Sequence, residues 1–355
     1  NVNGFINVRL SKNFLIEFIF KILENNFIEN DEPKNYIIEF VSANPTGPLN
    51  VVNARAGAIG DSIVRIGKFL RHNVISEYYV NDEGNQILSL GYSILWRLNY
   101  VFHFKVNNVY IENQLKNEPK ILIIDNEEIE LDVYKGDYVI EVAKNLKDMV
   151  EKEIKNFKNS YKNKEEFLNE FNNFAYKIGK LASNLIFNKQ MEVLKKYGVI
   201  YDSIVRESFI RNSEYPKIVL EKLKNYLYFE DLEKNQFEVS EKDISKLLDK
   251  SYYLEHYKNK ALVLRTTIYN DDKDRVLIRS NGEPTYFFWD IAYHYYKILR
   301  LNENGYIINL LGPDHYGYIP RLTSALKMLG FENLNILIIQ QTNLIKNGVK
   351  LDMSK

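Results

Sequence analysis

The chain has no cysteine in its 355 residues. Disulfides and thiolate metal sites are therefore excluded, and a cytoplasmic compartment is permitted and expected. It has no uncharged apolar run of about 18 residues and no signal-peptide pattern, so nothing marks it as crossing a membrane or exported. It has no excess charge: Lys and Arg together number 47, and so do Asp and Glu. A nucleic-acid partner would have to be met by a local patch and not by a global field. It has no Gly-x-Gly-x-x-Gly after its first strand, which disfavours an ordinary dinucleotide-binding enzyme. What is abundant is Asn, Lys, Ile and Tyr, the bias an AT-rich genome gives. Runs such as Lys155-Asn156-Phe157-Lys158-Asn159 accordingly read as solvated faces.

A hydrophobic share of 45% suffices for a sizeable core, and the length suggests two or three packed units. Residues 1–35 offer a short strand, Phe5 to Leu10, and a Ser11-capped helix with Phe14, Phe18 and Leu23 on one side. From Tyr36 to Val80 the pattern reads strand, turn, helix, strand. Ile59, Ile63, Ile66 and Leu70 recur at helical spacing, and Asn73–Val80 alternates. That is a βαβ unit, the start of a doubly wound parallel sheet. Roughly 100–260 reads as an insertion, with a strand at Ile121–Ile124, helices over 137–197 and another from Lys217 to Leu227. Strand–helix alternation returns from Ala261. Ala261–Arg265 and Arg275–Arg279 read as paired strands. Tyr306–Leu311 and Ile336–Ile339 read as buried strands around a helix that turns Leu322, Ala325, Leu326 and Leu329 inward and stops at Gly330.

The stretch from Ser42 to Arg55 joins the first strand to the first long helix. Pro45, Gly47 and Pro48 forbid a helix on the approach, and the helix starts near Asn50. A helix N-terminus beyond the carboxyl end of a parallel strand suits a phosphate. A tight connection with no ligand is the other reading, and the pattern alone favours neither.

This stretch resembles the first signature of class I arginyl-tRNA synthetases. Asn81-Asp82-Glu83-Gly84-Asn85-Gln86 resembles that family's Asn-Asp-x-Gly-Asn-Gln block, and Tyr134-Lys135-Gly136-Asp137-Tyr138 its Tyr-x-Gly-Asp-Tyr. Asp271–Leu277, Pro284–Phe287, Asp290–His294 and Gly312–Tyr318 resemble its later segments, in family order. The resemblance implies a doubly wound parallel, Rossmann-type α/β catalytic core with an α-rich insertion. Its implied organisation is 1–35 as the tail of a truncated N-terminal tRNA-binding domain, 36–100 and 261–355 as the two catalytic halves, and 101–260 as the insertion, without the anticodon-binding domain. Both ends are abrupt, and a fragment of a longer protein is expected.

The resemblance also implies substrates and residues. Glu39, Ser42, Asn44, Tyr286 and Asp290 would hold arginine; two carboxylates and an aromatic wall suit a planar guanidinium. ATP, carried with Mg²⁺ as a substrate, would lie along Ala43, Asn44, Pro45, Thr46, Gly47, Pro48, Leu49, Asn50, Val51, Val52 and Asn53, with Asp314, His315, Met353, Ser354 and Lys355. Catalysis would fall to Asn50, Asn53, Ser354 and Lys355, with tRNA(Arg) as the partner and a monomer expected. Family members generally need tRNA bound before they activate arginine.

The departures fall on the ATP side. The family's His-x-Gly-His tetrad is here Asn50-Val51-Val52-Asn53, and its Lys-Met-Ser-Lys loop is Asp352-Met353-Ser354-Lys355. Lys350 is a candidate replacement for the lost lysine. Asparagine carries no charge, and one lost transition-state donor typically costs about 2.7–4 kcal/mol. Impaired adenylation is therefore expected. The competing reading is a non-catalytic arginine- or tRNA-binding paralogue, or a decaying gene copy.

Overall fold

The computed structural model describes residues 8–24, 32–105, 108–113, 120–125, 127–158, 160–301 and 304–350. An outlying helix α1 (Lys12–Leu23), capped by Ser11, precedes β1 (Asn35–Glu39), α2 (Val51–Phe69), β2 (Asn73–Val80) and α3 (Asn85–Arg97). Next come β3 (Tyr100–Lys105), β4 (Asn108–Asn113), β5 (Lys120–Ile124) and β6 (Glu127–Glu130), then α4 (Tyr138–Ile154) and α5 (Lys164–Lys196). They lead to β7 (Ser203–Arg206), α6 (Glu207–Arg211), α7 (Tyr215–Leu223), β8 (Leu227–Glu230), β9 (Gln236–Glu238), α8 (Lys250–His256), β10 (Ala261–Leu264) and β11 (Arg275–Ile278). The chain continues as α9 (Tyr286–Leu299), β12 (Tyr306–Leu311), α10 (Ile319–Met328) and β13 (Leu334–Ile338). A small hairpin follows, β14 (Ile345–Lys346) and β15 (Val349–Lys350).

The organising layer is a five-stranded parallel sheet in the order β13-β12-β1-β2-β7. This is the doubly wound α/β core that the strand–helix alternation predicts. Its last strand, β7, comes from the stretch read as insertion. Two further sheets, β4-β3-β5-β6 and β11-β10-β8-β9, have cores of their own. The paired strands Ala261–Arg265 and Arg275–Arg279 belong to the second of these, as β10 and β11. Of the early strand read at Phe5–Leu10, residues 5–7 lie outside the described residues, and 8–10 form no strand.

Only the first half of the face that the isoleucines of helix α2 mark turns inward: Ile59 and Ile63 pack half-buried against the core of the sheet. Ile66 and Leu70 are 59% and 40% exposed, whereas Ala56, Gly57, Gly60 and Val64 are buried. Close approach decides this. A Cβ on Gly60 would stand 2.2 Å from the Phe40 ring, so small residues let the helix lie against the sheet. Helices α3 and α5 cross more tightly still. A Cβ on Gly91 would come 1.8 Å from the Ala175 carbonyl oxygen, and one on Gly179 1.9 Å from that of Ile87. Among the described residues, no helix is long and apolar enough to cross a membrane.

Candidate active site

In register, β1 stops before its neighbours: Glu39 lies opposite Asn309 and Glu77, whereas β12 runs on to Leu311 and β2 to Val80, and the turn after β1 carries strain. Val41 and Ser42 have φ of +69° and +37°, and for a β-branched residue such a value is an outlier. The turn is held by neighbours. Ser42 Oγ accepts from the Tyr79 N–H at 3.0 Å, and the Ala43 carbonyl from the Tyr78 hydroxyl at 2.9 Å. Gln190, on α5, donates to the Asn44 and Gly47 carbonyls at 3.1 and 2.7 Å. The Tyr138 hydroxyl donates to the Thr46 carbonyl at 2.6 Å. Pro45, Thr46 and Gly47 are buried, so the bonds to the Thr46 and Gly47 carbonyls satisfy backbone in buried residues. Asn44 and Pro48 are exposed. Pro48 and Leu49 border a cavity of about 260 Å³ that Tyr138, Ile186 and Gln190 also line.

Helix α2 then begins with a reciprocal cap. Asn50 Oδ1 accepts from the N–H groups of Val52 (3.0 Å) and Asn53 (3.2 Å), and Asn53 Oδ1 accepts from the Asn50 N–H (2.9 Å). This is a capping box with asparagine in both roles. The two residues expected to face phosphate therefore bind each other's backbone. They take up N–H groups that an anion at this helix end would need. Val51 and Val52 are half-buried beside them.

The arginine-pocket candidates come from β1, its turn and α9. Thr285 caps α9, accepting from the Phe288 N–H at 3.3 Å. Tyr286 and Asp290 then fall one turn apart on one face. Tyr286 is half-exposed, and its hydroxyl stands against Gly84, where a Cβ would come within 3.0 Å of it. Gly84 also has φ +81°, so both space and conformation call for glycine. Asp82, just before it, is buried and receives Lys180, Arg206 and both the N–H and hydroxyl of Ser208. Burial alone would raise its pKa, but the Ser208 and Lys180 bonds outweigh that and hold it below the usual value.

Glu39 ends β1 with its side chain 10% exposed; Asp290 is 25% exposed. Asp290 Oδ2 accepts from the Tyr318 hydroxyl at 2.6 Å, and Oδ1 lies 3.1 Å from His294 Nδ1. Burial would raise the Asp290 pKa, yet the hydrogen bonds from His294 and Tyr318 and the Lys297 charge bring it below the ordinary value. Asp314 and His315 sit in a 3-10 turn over Pro313–Tyr318 beyond β12, exposed, with His315 Nε2 3.4 Å from an Asp314 oxygen. Met353, Ser354 and Lys355 lie outside the described residues, as does Asp352. Among the described residues, no group of three or more His, Cys, Asp or Glu side chains is placed to hold a metal ion.

No protein-family model matches the chain. An arginine–tRNA ligase of Leptospira biflexa is 34% identical over 362 aligned positions, 99% of this chain and 54% of that protein. One from Aquifex aeolicus is 35% identical, over 100% of this chain and 57% of that protein. A solved Campylobacter jejuni structure assigned as an arginyl-tRNA synthetase is 30% identical. It superposes with a TM-score of 0.68 over 98% of this chain and 64% of that one. The chain belongs to the arginyl-tRNA synthetase family. The Thermus thermophilus arginyl-tRNA synthetase, 18% identical with a TM-score of 0.57, shares the fold. The chain spans about half the length of the curated relatives it matches.

Sequence reasoning passed over part of this region. At one level of the sheet, Asn309, Glu39, Glu77 and Ser203 are register partners on four adjacent strands. The first three side chains meet α9, and Ser203 meets Arg300, the residue that caps its end. Lys297, fully buried, donates to Glu39 Oε2 at 2.5 Å and Asn309 Oδ1 at 2.9 Å. Arg300 pairs with Glu77 at 2.6 Å, and the Tyr293 hydroxyl donates to the same carboxylate at 2.8 Å. One signal was available. Lys297 follows Asp290 by seven residues, two turns along the same helix face.

Proposed function

We propose that this chain is the catalytic core of an arginine–tRNA ligase, activating arginine with ATP and passing it to tRNA(Arg). The observation that supports the reading is that Glu39, at the end of β1, and Asp290, in the first turns of α9, are linked by buried hydrogen bonds through Lys297, Asn309 and His294. The crevice beyond the carboxyl ends of the strands is where open α/β sheets take ligands. The arginine guanidinium would lie between the carboxylates, with its α-carboxylate directed toward the start of α2. That carboxylate attacks the α-phosphate of ATP carried with Mg²⁺ and pyrophosphate leaves; a hydroxyl of the terminal adenosine then attacks the arginyl carbonyl of the adenylate, and AMP leaves. Identity to named arginine–tRNA ligases over the whole chain supports the substrate choice.

A second reading has a specific observation in its favour. The Asn50–Asn53 capping box takes up the helix-start N–H groups, and neither asparagine offers a cation to a polyphosphate. On this reading arginine recognition persists while adenylation is severely weakened. Arginine-dependent ATP–pyrophosphate exchange with tRNA(Arg) present separates the two. Exchange at a rate comparable with a family member bearing both histidines supports the ligase. Arginine binding without exchange supports the weakened form, and neither binding nor exchange refutes both.

A further inference from the structure

The two carboxylates that the proposed function assigns to arginine are joined underneath by a buried chain of hydrogen bonds. Its polarity follows from the donor inventory. An ammonium only donates, so Asn309 must turn Oδ1 toward Lys297 and its amide nitrogen toward His294, 2.7 Å from Nε2. That nitrogen must accept. The imidazole is therefore neutral, with its proton on Nδ1, facing the Asp290 carbonyl at 2.8 Å and Oδ1 at 3.1 Å. The chain runs Glu39, Lys297, Asn309, His294, Asp290.

The charges along α9 decide what this chain does. Glu77 is matched by Arg300, and Glu39 by Lys297. Asp290 receives only neutral donors, from Tyr318 and His294. Glu39, Lys297 and Asp290 together thus carry a single net negative charge, which fits one guanidinium. Without Lys297 two carboxylates would face one cation. Without Glu39, a buried ammonium would face the ligand's positive charge.

We propose that Lys297 is a positioning residue of the arginine pocket, neutralising and orienting Glu39 so that Asp290 is the net countercharge of a monocationic side chain. This rests on the arginine-pocket reading above. Lys297 does not touch the ligand; it lies fully buried behind Glu39. Only Glu39 Oε2 binds it, which leaves the other oxygen of that carboxylate for the ligand.

The test is a charge-rescue series on the whole protein: parent, Glu39→Gln, and Glu39→Gln with Lys297→Met. Each is titrated with arginine and with citrulline, its neutral isostere, by calorimetry. Glu39→Gln strands a buried cation and is expected to weaken arginine about a hundredfold while changing citrulline little. Adding Lys297→Met removes that cation without leaving an unpaired charge, so the double variant is the one expected to fold most like the parent. It should regain about tenfold or more in arginine affinity over Glu39→Gln, again with little change for citrulline. A merely structural lysine would move both ligands together. If the parent binds arginine but the double variant binds it no better than Glu39→Gln, or if both ligands shift in parallel, the assignment of Lys297 is overturned while the pocket stands. If the parent binds no arginine, the pocket reading itself fails, and this one with it.

Discussion

Replacing Asn50 by alanine removes the acceptor of two backbone N–H groups, those of Val52 and Asn53, at 3.0 and 3.2 Å. An asparagine cap exchanged for alanine typically costs about 1 kcal/mol, within a range of roughly 0.5–2. The reverse bond, from the Asn50 N–H to Asn53 Oδ1, survives a side-chain deletion at 50. The loss should therefore sit near the middle of that range, and Asn53→Ala should cost less, about 0.5–1 kcal/mol for a single bond. Urea denaturation reads this as a lower midpoint at unchanged slope. The same variant carries a second, opposite consequence. Freeing two N–H groups at the start of α2 restores donors for an anion, so pyrophosphate or ATP should bind Asn50→Ala at least as tightly as the parent. Two results would refute this reasoning. A midpoint equal to the parent's would mean the cap contributes nothing. A sharp fall in ATP affinity would mean that Asn50 serves phosphate and not its own helix.

Gly179→Ala should destabilise by about 1–3 kcal/mol or more, because its Cβ would meet the Ile87 carbonyl at 1.9 Å where α3 and α5 cross; thermal unfolding measures it. Gln190→Leu should cost about 1–3 kcal/mol by leaving the Asn44 and Gly47 carbonyls without their donor, while keeping the side-chain volume. Acid should weaken the fold through Glu77. Burial would raise its pKa, but Arg300, Lys297 and Tyr293 hold it below 4.5. The unfolded chain then binds the extra proton first, so this stabilisation is complete above about pH 4.5 and is lost as the pH falls through the folded value. Unfolding free energy followed across that range should fall on acidification, and the slope should flatten in Glu77→Gln.

The frame of this protein is written in short-range pattern. An apolar strand, the turn Pro45-Thr46-Gly47-Pro48, a helix and the alternating run Asn73–Val80 give the βαβ unit, and β12 and β13 read as buried strands. Periodicity holds for Ile59 and Ile63 of α2 but misdirects at Ile66 and Leu70; Gly60 against Phe40 sets the distance and so the buried face, a feature visible only once sheet and helix are docked. Strand β7 is four residues long within a largely helical stretch, too short for its alternation to register. At the candidate site, the turn from Ser42 to Asn53 leads from β1 into α2, and Tyr286 and Asp290 lie one turn apart on α9. Lys297, Asn309 and Glu77 went unread because a register across four strands brings them together, and register is not a local property. The mutual cap of Asn50 and Asn53 was within reach of the sequence, three residues apart at a helix start, but reading both against the family's histidines directed attention to the missing charge.

The most direct measurement is a calorimetric titration of arginine into the parent protein and into Asp290→Asn. Binding by the parent is expected, weakened by about a hundredfold in the variant, since removing one partner of a buried charged contact typically costs about 2–5 kcal/mol. Absence of arginine binding by the parent, or equal affinity in Asp290→Asn, would contradict the assignment of this crevice to arginine.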